Sequence, residues 1–471
     1  MKKILYYILF LTILPACEDQ LDITPKGKTI LNTVTDLETL LNQEYYLGGG
    51  PIEDLSTICN EAYSYMSSIS DILANQNTLD YAYLTYDETI DRALLTPNDT
   101  RYSQLYKYIN YMNVILDKLE DAEGDDSRKE KVEAEARIMR AYLHWLAVNI
   151  YAAQYDEATA AESGGIAYVT DTDVFKRKDK QTIAKVYEQI LADCDEKYIA
   201  QLPDAAPNVA RGGKAWGNAV RAKVLMQMKK YEEALPYALK SIEYNGQIED
   251  RSVIKEIGAW TLTQDVENNL MYIMGSIPGL PLGEILSAET AALFETGDYV
   301  KDYTNGAMGD GAWSSMYGTM LGNAMGCLMY LDFSGNVFIN AYGITSDRMY
   351  YTAAECYIRT GEIDKGLELV DRVRARRIEA CQPFQGTAAD EKTAMALLQK
   401  AKWIECISTY ENFFDCKRWN SEADYKRTIT RDLITLDGDS YSYSLAPDSP
   451  LWIFPFPNDA RSHNESLTLN Y

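Results

Sequence analysis

Residues 219–244 read AVRAKVLMQMKKYEEALPYALKSIEY, and residues 351–376 read YTAAECYIRTGEIDKGLELVDRVRAR. Placing Tyr231 on Ile363 sets Ala222 on Ala354, Leu225 on Tyr357, Glu233 on Lys365 and Leu235 on Leu367. Each stretch spells a helix, a short polar turn and a second helix, with apolar residues returning at the helical interval. Small residues at Ala222 and Ala354 let the paired helices approach closely. The same pattern fits an ordinary helical pair in any α domain. Either way the chain is predicted to be mostly α.

The hairpins resemble the tetratricopeptide unit, whose repeat is ~34 residues. The two copies stand far apart, so the sequence predicts interrupted hairpins and no continuous array. Between them, about residues 246–346, Gly, Asn, Asp and aromatic residues dominate. The aromatics argue against disorder there, so a large ordered insertion is expected, of the long-loop kind that usually carries function. Upstream, Leu105, Ile109, Met112, Leu116 and Leu119 form one helical stripe. A break at 123–127 precedes a long alanine-rich helix, EKVEAEARIMRAYLHWLAVNIYA, before Gly164-Gly165. Thr35-Asp36-Leu37-Glu38 reads as a helix start. Residues 42–100 read as Tyr-rich and irregular.

The first residues read MKKILYYILFLTILPACEDQ. Lys2 and Lys3 precede an apolar run from Ile4 to Leu14, too short to span a bilayer, which takes ~20 apolar residues. Leu14-Pro15-Ala16-Cys17 resembles a bacterial lipobox. Residues 1–16 are then a signal peptide, Cys17 the lipidated mature N-terminus, and 17–28 a tether with Pro25 and Gly27 as breakers. Two or three acyl chains, palmitate among them, give a stable anchor. Residues 29–471 form one domain. The formal net charge of −25 makes nucleic acid an unsuitable partner. The 46% hydrophobic content supplies a real core. Removing Cys17 from 8 cysteines leaves an odd number without a CxxC spacing, so a disulfide framework is not indicated. Cys356 sits in an apolar helical pattern and reads as a buried thiol.

Glu133 to Leu146 carries an Arg140-Ala141-Tyr142 core. KWIECISTYENFFDCKRW supplies Glu405, Glu411, Asp415, Arg418 and Trp419, and the chain ends SPLWIFPFPNDARSHNESLTLNY, with Phe454-Pro455-Phe456-Pro457 and Asn470. These motifs, in this order after the leader and with the two hairpins, resemble the SusD/RagB family of Bacteroidota surface lipoproteins. Cys406 stands where the family pattern has Arg, and Asn412 where it has Gly, which puts the ligand class in doubt more than the fold. The resemblance implies a mostly α, SusD-like fold of tetratricopeptide-like hairpins packed against loop-rich ligand-binding segments. It implies binding of oligosaccharides, or in some members peptides. It also implies a lid over a SusC-like TonB-dependent outer-membrane transporter. A lipid on Cys17 followed by Glu18-Asp19 fits a surface-facing outer-membrane location.

Aromatic rings suit the apolar face of a pyranose, and Tyr adds a polar tip. Asp and Asn satisfy paired hydroxyls. Of 36 Tyr and 7 Trp, those in irregular segments are the candidates: Tyr81, Tyr83 and Tyr86, with Asp71 and Asn75 near them, and Trp313 and Tyr317 in the insertion. No catalytic residue, cofactor or metal is assigned. The 2 histidines, His144 and His463, form no known catalytic arrangement, and Asp437-Gly438-Asp439 reads as a polar turn, because the following Tyr441 and Ser442 break the calcium-loop pattern. Three readings stand: a glycan-binding lid, a peptide-binding lid, and a tetratricopeptide-type protein scaffold.

Overall fold

The computed structural model describes residues 31–48, 53–64, 66–258, 266–275, 284–303, 340–435 and 437–471. The leader, Cys17, the tether, Trp313 and Tyr317 lie outside the described residues.

The described chain opens on helix α1 (Val34–Leu41). Its cap is Thr33, two residues before the sequence-expected Thr35. Thr33 Oγ1 accepts from Asp36 N at 3.2 Å, and the Asp36 carboxylate accepts from Thr33 N at 2.9 Å, a reciprocal pair that satisfies two otherwise orphaned amides. Residues 42–100 are more regular than expected. They hold the short helices α2 (Glu53–Ile58), α3 (Met66–Ala74) and α4 (Leu79–Thr85) and the strands β1 (Tyr45–Tyr46) and β2 (Ala62–Ser64).

The helical frame begins with α5 (Thr100–Lys118) and α6 (Asp126–Tyr151) and continues through α7 (Ile183–Asp193), α8 (Glu196–Gln201), α9 (Lys214–Gln227) and α10 (Tyr231–Tyr244). It resumes with α11 (Ser346–Arg359), α12 (Ile363–Arg374), α13 (Glu391–Glu405) and α14 (Tyr410–Asn420). The α9–α10 and α11–α12 hairpins correspond turn for turn. Lys229 (φ 62°) and Gly361 (φ 86°) are both left-handed. Lys230 N donates to Leu225 O at 3.0 Å, and Glu362 N to Tyr357 O at 2.8 Å, in the same register. The interruption between the hairpins exists only along the chain. In space α10 packs on α11, so the stack runs unbroken from α5 to α13. Close approach needs a small residue on α12: a Cβ on Gly366 would stand 2.7 Å from Ala354 O. Gly361 has open space around it, so Gly361→Ala tests backbone strain alone. A loss of about 1–2 kcal/mol in urea unfolding is expected. An unchanged midpoint would contradict the strained turn.

The insertion does not stand apart from the early segment. β1 pairs in parallel with β4 (Ile273–Met274), β2 pairs antiparallel with β5 (Glu284–Leu286), and β3 (Asn269–Met271) pairs with β6 (Ile344–Thr345). The first two ladders tie the early region to the central one, and the third joins the two ends of the central region. Near the C-terminus β7 (Ile429–Ile434) and β8 (Ser440–Leu445) form an antiparallel hairpin. Asp437-Gly438-Asp439 lies in its turn, with Gly438 at φ 89°, as a polar turn.

The motif residues hold the stack together. Arg418 reaches across to α11: its Nη1 meets Glu355 Oε1 at 2.6 Å and its Nη2 meets Glu355 Oε2 at 2.9 Å. Trp419 Nε1 donates to the same carboxylate at 3.0 Å, and Asp415 bridges Arg418 (2.8 Å) and Lys402 (2.5 Å). Glu411 receives Lys223 of α9 at 2.9 Å and Arg348 at 3.4 Å. Arg377 pairs with Glu405 at 2.8 Å. Arg140 makes a two-pronged pair with Asp193 of α7 at 2.7 and 2.8 Å. The two departures from the family pattern are core residues as well. Cys406 is buried, and Asn412 Nδ2 donates to Glu61 at 2.7 Å and to Trp403 O at 2.9 Å. Neither faces a ligand.

The end motif closes the C-terminus of α6, whose last carbonyls have no helical partner. Phe454 N donates to Ile150 O at 3.1 Å and Asn470 Nδ2 to Tyr151 O at 2.8 Å. Lys417 Nζ donates to Asn149 O at 2.5 Å and Ala152 O at 2.8 Å. His144 is buried in α6. Its Nδ1 faces Arg140 O and its Nε2 accepts from Val169 N, so burial holds it neutral, with its pKa pushed down to about 3. Cys59, Cys194, Cys356, Cys381, Cys406 and Cys416 are free thiols, and Cys356 is buried.

Burial alone would raise the Glu411 and Glu355 carboxyls. The surrounding cations overcome it: Lys223, Arg348 and Lys402 hold Glu411, and chiefly Arg418 holds Glu355, each at about 2. The unfolded chain takes up these protons near pH 4.5, the folded chain only near pH 2. The stabilisation is therefore complete above pH 4.5 and lost as pH falls towards 2. It amounts to ~3 kcal/mol per carboxylate. Buried His144 works in the same direction over this range. Glu61, which burial pushes up to about 7, adds nothing here because both states hold its proton. Between pH 7 and 4.5 the loss from His144, which takes up a proton there only when unfolded, is offset by Glu61, which takes one up there only when folded, so urea unfolding at pH 7, 4.5 and 3 is expected to show its steep loss in the last interval. A flat profile would contradict the ion network.

Candidate functional site: an aromatic edge beside the C-terminal hairpin

The α3–α4 turn gathers three of the sequence-predicted residues. Asp71 is exposed on α3. Asn75 follows it, with Nδ2 donating to Asp71 O at 2.8 Å. Thr78 Oγ1 donates to Asn75 O at 3.0 Å and accepts from Tyr81 N at 3.2 Å, capping α4. Tyr81, in the first turn of α4, is half-buried at the rim.

Tyr83 and Tyr86 do not join this edge. Their apparent alternation with Tyr81 suggests a strand-like period, yet the segment is helical. At about 100° per residue, residues 81 and 83 point to opposite sides. Tyr83 is buried, its ring centroid 5.5 Å from that of Phe454. Tyr86 ends α4 in a left-handed conformation (φ 56°) and is buried. Its hydroxyl donates to Ile58 O at 3.2 Å, and the Arg431 guanidinium lies 4.1 Å from its ring centroid. Both are packing residues and offer no surface to a sugar.

The hairpin adds two tyrosines that the sequence reading passed over. Tyr441 lies opposite Leu433, Tyr443 opposite Arg431 and Leu445 opposite Ile429, so the three side chains share the inner face of the hairpin. Leu445 is buried, Tyr443 half-buried, and Tyr441, nearest the turn, 40% exposed. The two tyrosine rings are parallel within 5°, their centroids 6.4 Å apart. Partial burial pushes the Tyr443 phenol up, and the neighbouring Tyr81 and Tyr441 add to the shift. The hairpin is joined to α4 by Arg431, whose Nη1 donates to Tyr83 O at 2.9 Å and Leu84 O at 2.7 Å. The signal was present in SYSYSL, residues 440–445: alternation of Tyr with Ser marks one aromatic and one polar strand face.

Chemically, this edge offers flat apolar surface with phenol tips, flanked by an exposed carboxylate and an amide. It can stack rings and bond hydroxyls. Separately, a groove of about 650 Å³ is lined by Asn113, Asp117, Arg137, Arg140 and the loop 170–176. Its buried groups are already engaged, Arg140 with Asp193 and Asn113 Nδ2 with Val169 O and Asp171 O. None of the sequence-predicted residues lines it.

Residues 19–213 match the SusD-like family model described as starch-binding, associating with the outer membrane. No curated protein matches. Among solved structures, a SusD superfamily protein from Bacteroides thetaiotaomicron superposes with a TM-score of 0.69 at 17% identity, over 93% of this chain and 100% of that one. A putative sugar binding protein from Bacteroides vulgatus gives 0.66 at 14% identity, over 94% and 99%. A SusD superfamily protein from Bacteroides fragilis gives 0.67 at 14%, over 93% and 100%. At these identities the structures speak for the fold. The chain therefore has the SusD-like fold over nearly its whole length, and residues 19–213 are similar in sequence to the SusD-like family.

Proposed function

We propose that the protein binds oligosaccharides at the outer membrane and delivers them to a SusC-like TonB-dependent transporter, without carrying out a chemical step. The observation that carries the reading is the parallel pair of exposed Tyr441 and half-buried Tyr443 on the hairpin that packs on α4, where Tyr81 stands at the rim and Asp71 and Asn75 precede it. The starch-binding description of the matched family and the sugar binding protein of the same fold support it. Cys17 would carry the lipid that keeps the protein beside the membrane. Trp313 and Tyr317 remain proposed contacts from the central segment.

The test is calorimetric titration of the chain beginning after Cys17 with a panel of oligosaccharides and mixed peptides. Saturable heat with a glycan class, lost in Tyr441→Ala, supports the reading. Saturation by peptides alone would replace it with the peptide-binding lid. A membrane pull-down that recovers a TonB-dependent transporter with wild type, and not with Cys17→Ala, supports the delivery role.

A further inference from the structure

We infer that the aromatic edge sorts sugar chains by charge, accepting neutral and amino-bearing oligosaccharides and repelling uronate or sulfate chains. The inference rests on the glycan-binding reading and narrows its ligand class.

The elements that build the edge lack mobile cations. Residues 29–91 contain no Lys or Arg, and neither do residues 432–460. These two runs supply Tyr81, Tyr441 and Tyr443. The central stretch 302–347, which holds Trp313 and Tyr317, contains none either. Yet the same elements carry exposed carboxylates: Asp71 and Asp80 around α4, and Asp432, Asp437 and Asp439 on the hairpin. Asp432 accepts from Ser442 Oγ at 2.7 Å on the outer face.

The cation beneath the edge is Arg431, and it is buried. Its Nε donates to Asn60 Oδ1 at 3.0 Å, and its Nη1 to Tyr83 O at 2.9 Å and Leu84 O at 2.7 Å. Its Nη2 donates to Thr57 O. Four of its five N–H donors are engaged by the protein and the group is buried, so it does not reach a ligand carboxylate at the surface. Arg427, before the hairpin, is paired with Glu289. An anionic sugar seated on the tyrosines would therefore meet unpaired like charge with no fork to receive it, whereas recognition of carboxylates and sulfates ordinarily needs Arg or Lys. A protonated amino sugar would meet the opposite field.

Exposed charges act through solvent, so the selection must depend on salt. The screening length is about 30 Å at 0.01 M ionic strength and shrinks to a few ångströms towards 1 M. The experiment uses the chain beginning after Cys17 and three probes of equal length: a neutral gluco-oligosaccharide, an oligogalacturonate and a glucosamine oligomer. Each is titrated at low and at high salt.

Affinity for the neutral probe is expected to change less than about twofold with salt. The oligogalacturonate is expected to bind at least about tenfold more weakly at low salt, with the gap closing at high salt. The glucosamine oligomer is expected to bind tightest at low salt and to lose that advantage at high salt. Substituting Asp71→Asn, Asp80→Asn, Asp437→Asn and Asp439→Asn together removes charge without removing a tyrosine, and is expected to bring the three probes together at low salt. Equal or tighter binding of oligogalacturonate at low salt, at a site that Tyr441→Ala abolishes, would overturn the charge selection and leave glycan binding standing. Absence of binding by all three probes, or binding indifferent to Tyr441→Ala, would overturn the edge as a sugar site, and this inference with it.

Discussion

Replacing Arg418 by methionine is expected to destabilise the protein by about 3–5 kcal/mol, read as a shift in the urea midpoint at unchanged slope. Arg418 and Glu355 are both fully buried. Removing the guanidinium leaves Glu355 without its bidentate partner in the middle of the stack, and Asp415 keeps only Lys402. Arg359, 3.7 Å away, is then the ion-pair partner left to Glu355, and the weakly compensated carboxylate must either stay charged in a poor medium or take up a proton, and either route weakens the fold. The double variant Arg418→Met with Glu355→Leu removes both charges and is expected to regain at least half of the loss, since paired charges exchanged for apolar groups are often neutral. The remainder is the Trp419 indole N–H, which loses its acceptor. A single variant as stable as wild type would mean that the pair is hydrated and the motif does not bind α14 to α11.

Tyr443→Ala is expected to weaken oligosaccharide binding by about ten- to a hundredfold, or ~1.4–2.8 kcal/mol, with little change in stability. Tyr443 is half-buried on the inner face of the hairpin, parallel to Tyr441, so its ring is held in place while its outer part stays accessible. Tyr441→Ala is expected to lose somewhat less, because its ring lies at the exposed end. Tyr83→Ala provides the contrast. Its ring packs on Phe454 in the core, so it is expected to lower stability by about 3–5 kcal/mol and to affect binding only through unfolding. Calorimetry paired with denaturation separates the two kinds of tyrosine. A stability loss in Tyr443→Ala equal to that in Tyr83→Ala would make the hairpin aromatics packing residues too.

The helical frame was legible because helix pairs bury apolar stripes at a fixed interval, and that interval survives in a single chain. Leu105, Ile109 and Met112 are all buried in α5. The left-handed turn at Gly361 has its counterpart at Lys229, where no glycine advertises it, so only the 132-residue offset pointed there. The short helices of the early region were missed because each is under three turns, and in α4 the Tyr pattern also mimics a strand. The ligand edge was half legible. Asp71, Asn75 and Tyr81 lie on one local turn, linked by hydrogen bonds between near neighbours in sequence. Tyr443 comes from more than 350 residues away, and no local rule connects it to Tyr81.

What the chain announces unaided is therefore what depends on near neighbours: the apolar run that precedes Cys17, the helix–turn–helix pairs, and the excess of acid over base in the segments that build the edge. What required the folded molecule is everything that depends on burial and on contacts distant in sequence. Folding turned Glu355, Asp415 and Arg418 from surface-type residues into the buried ion network of the stack. It drew Tyr83 and Tyr86 into the core and left Tyr81 at the rim. It brought the alternating tyrosines of β8 beside α4. A side chain's role follows from which side of its element faces the protein, and that side is chosen by partners the linear sequence does not name.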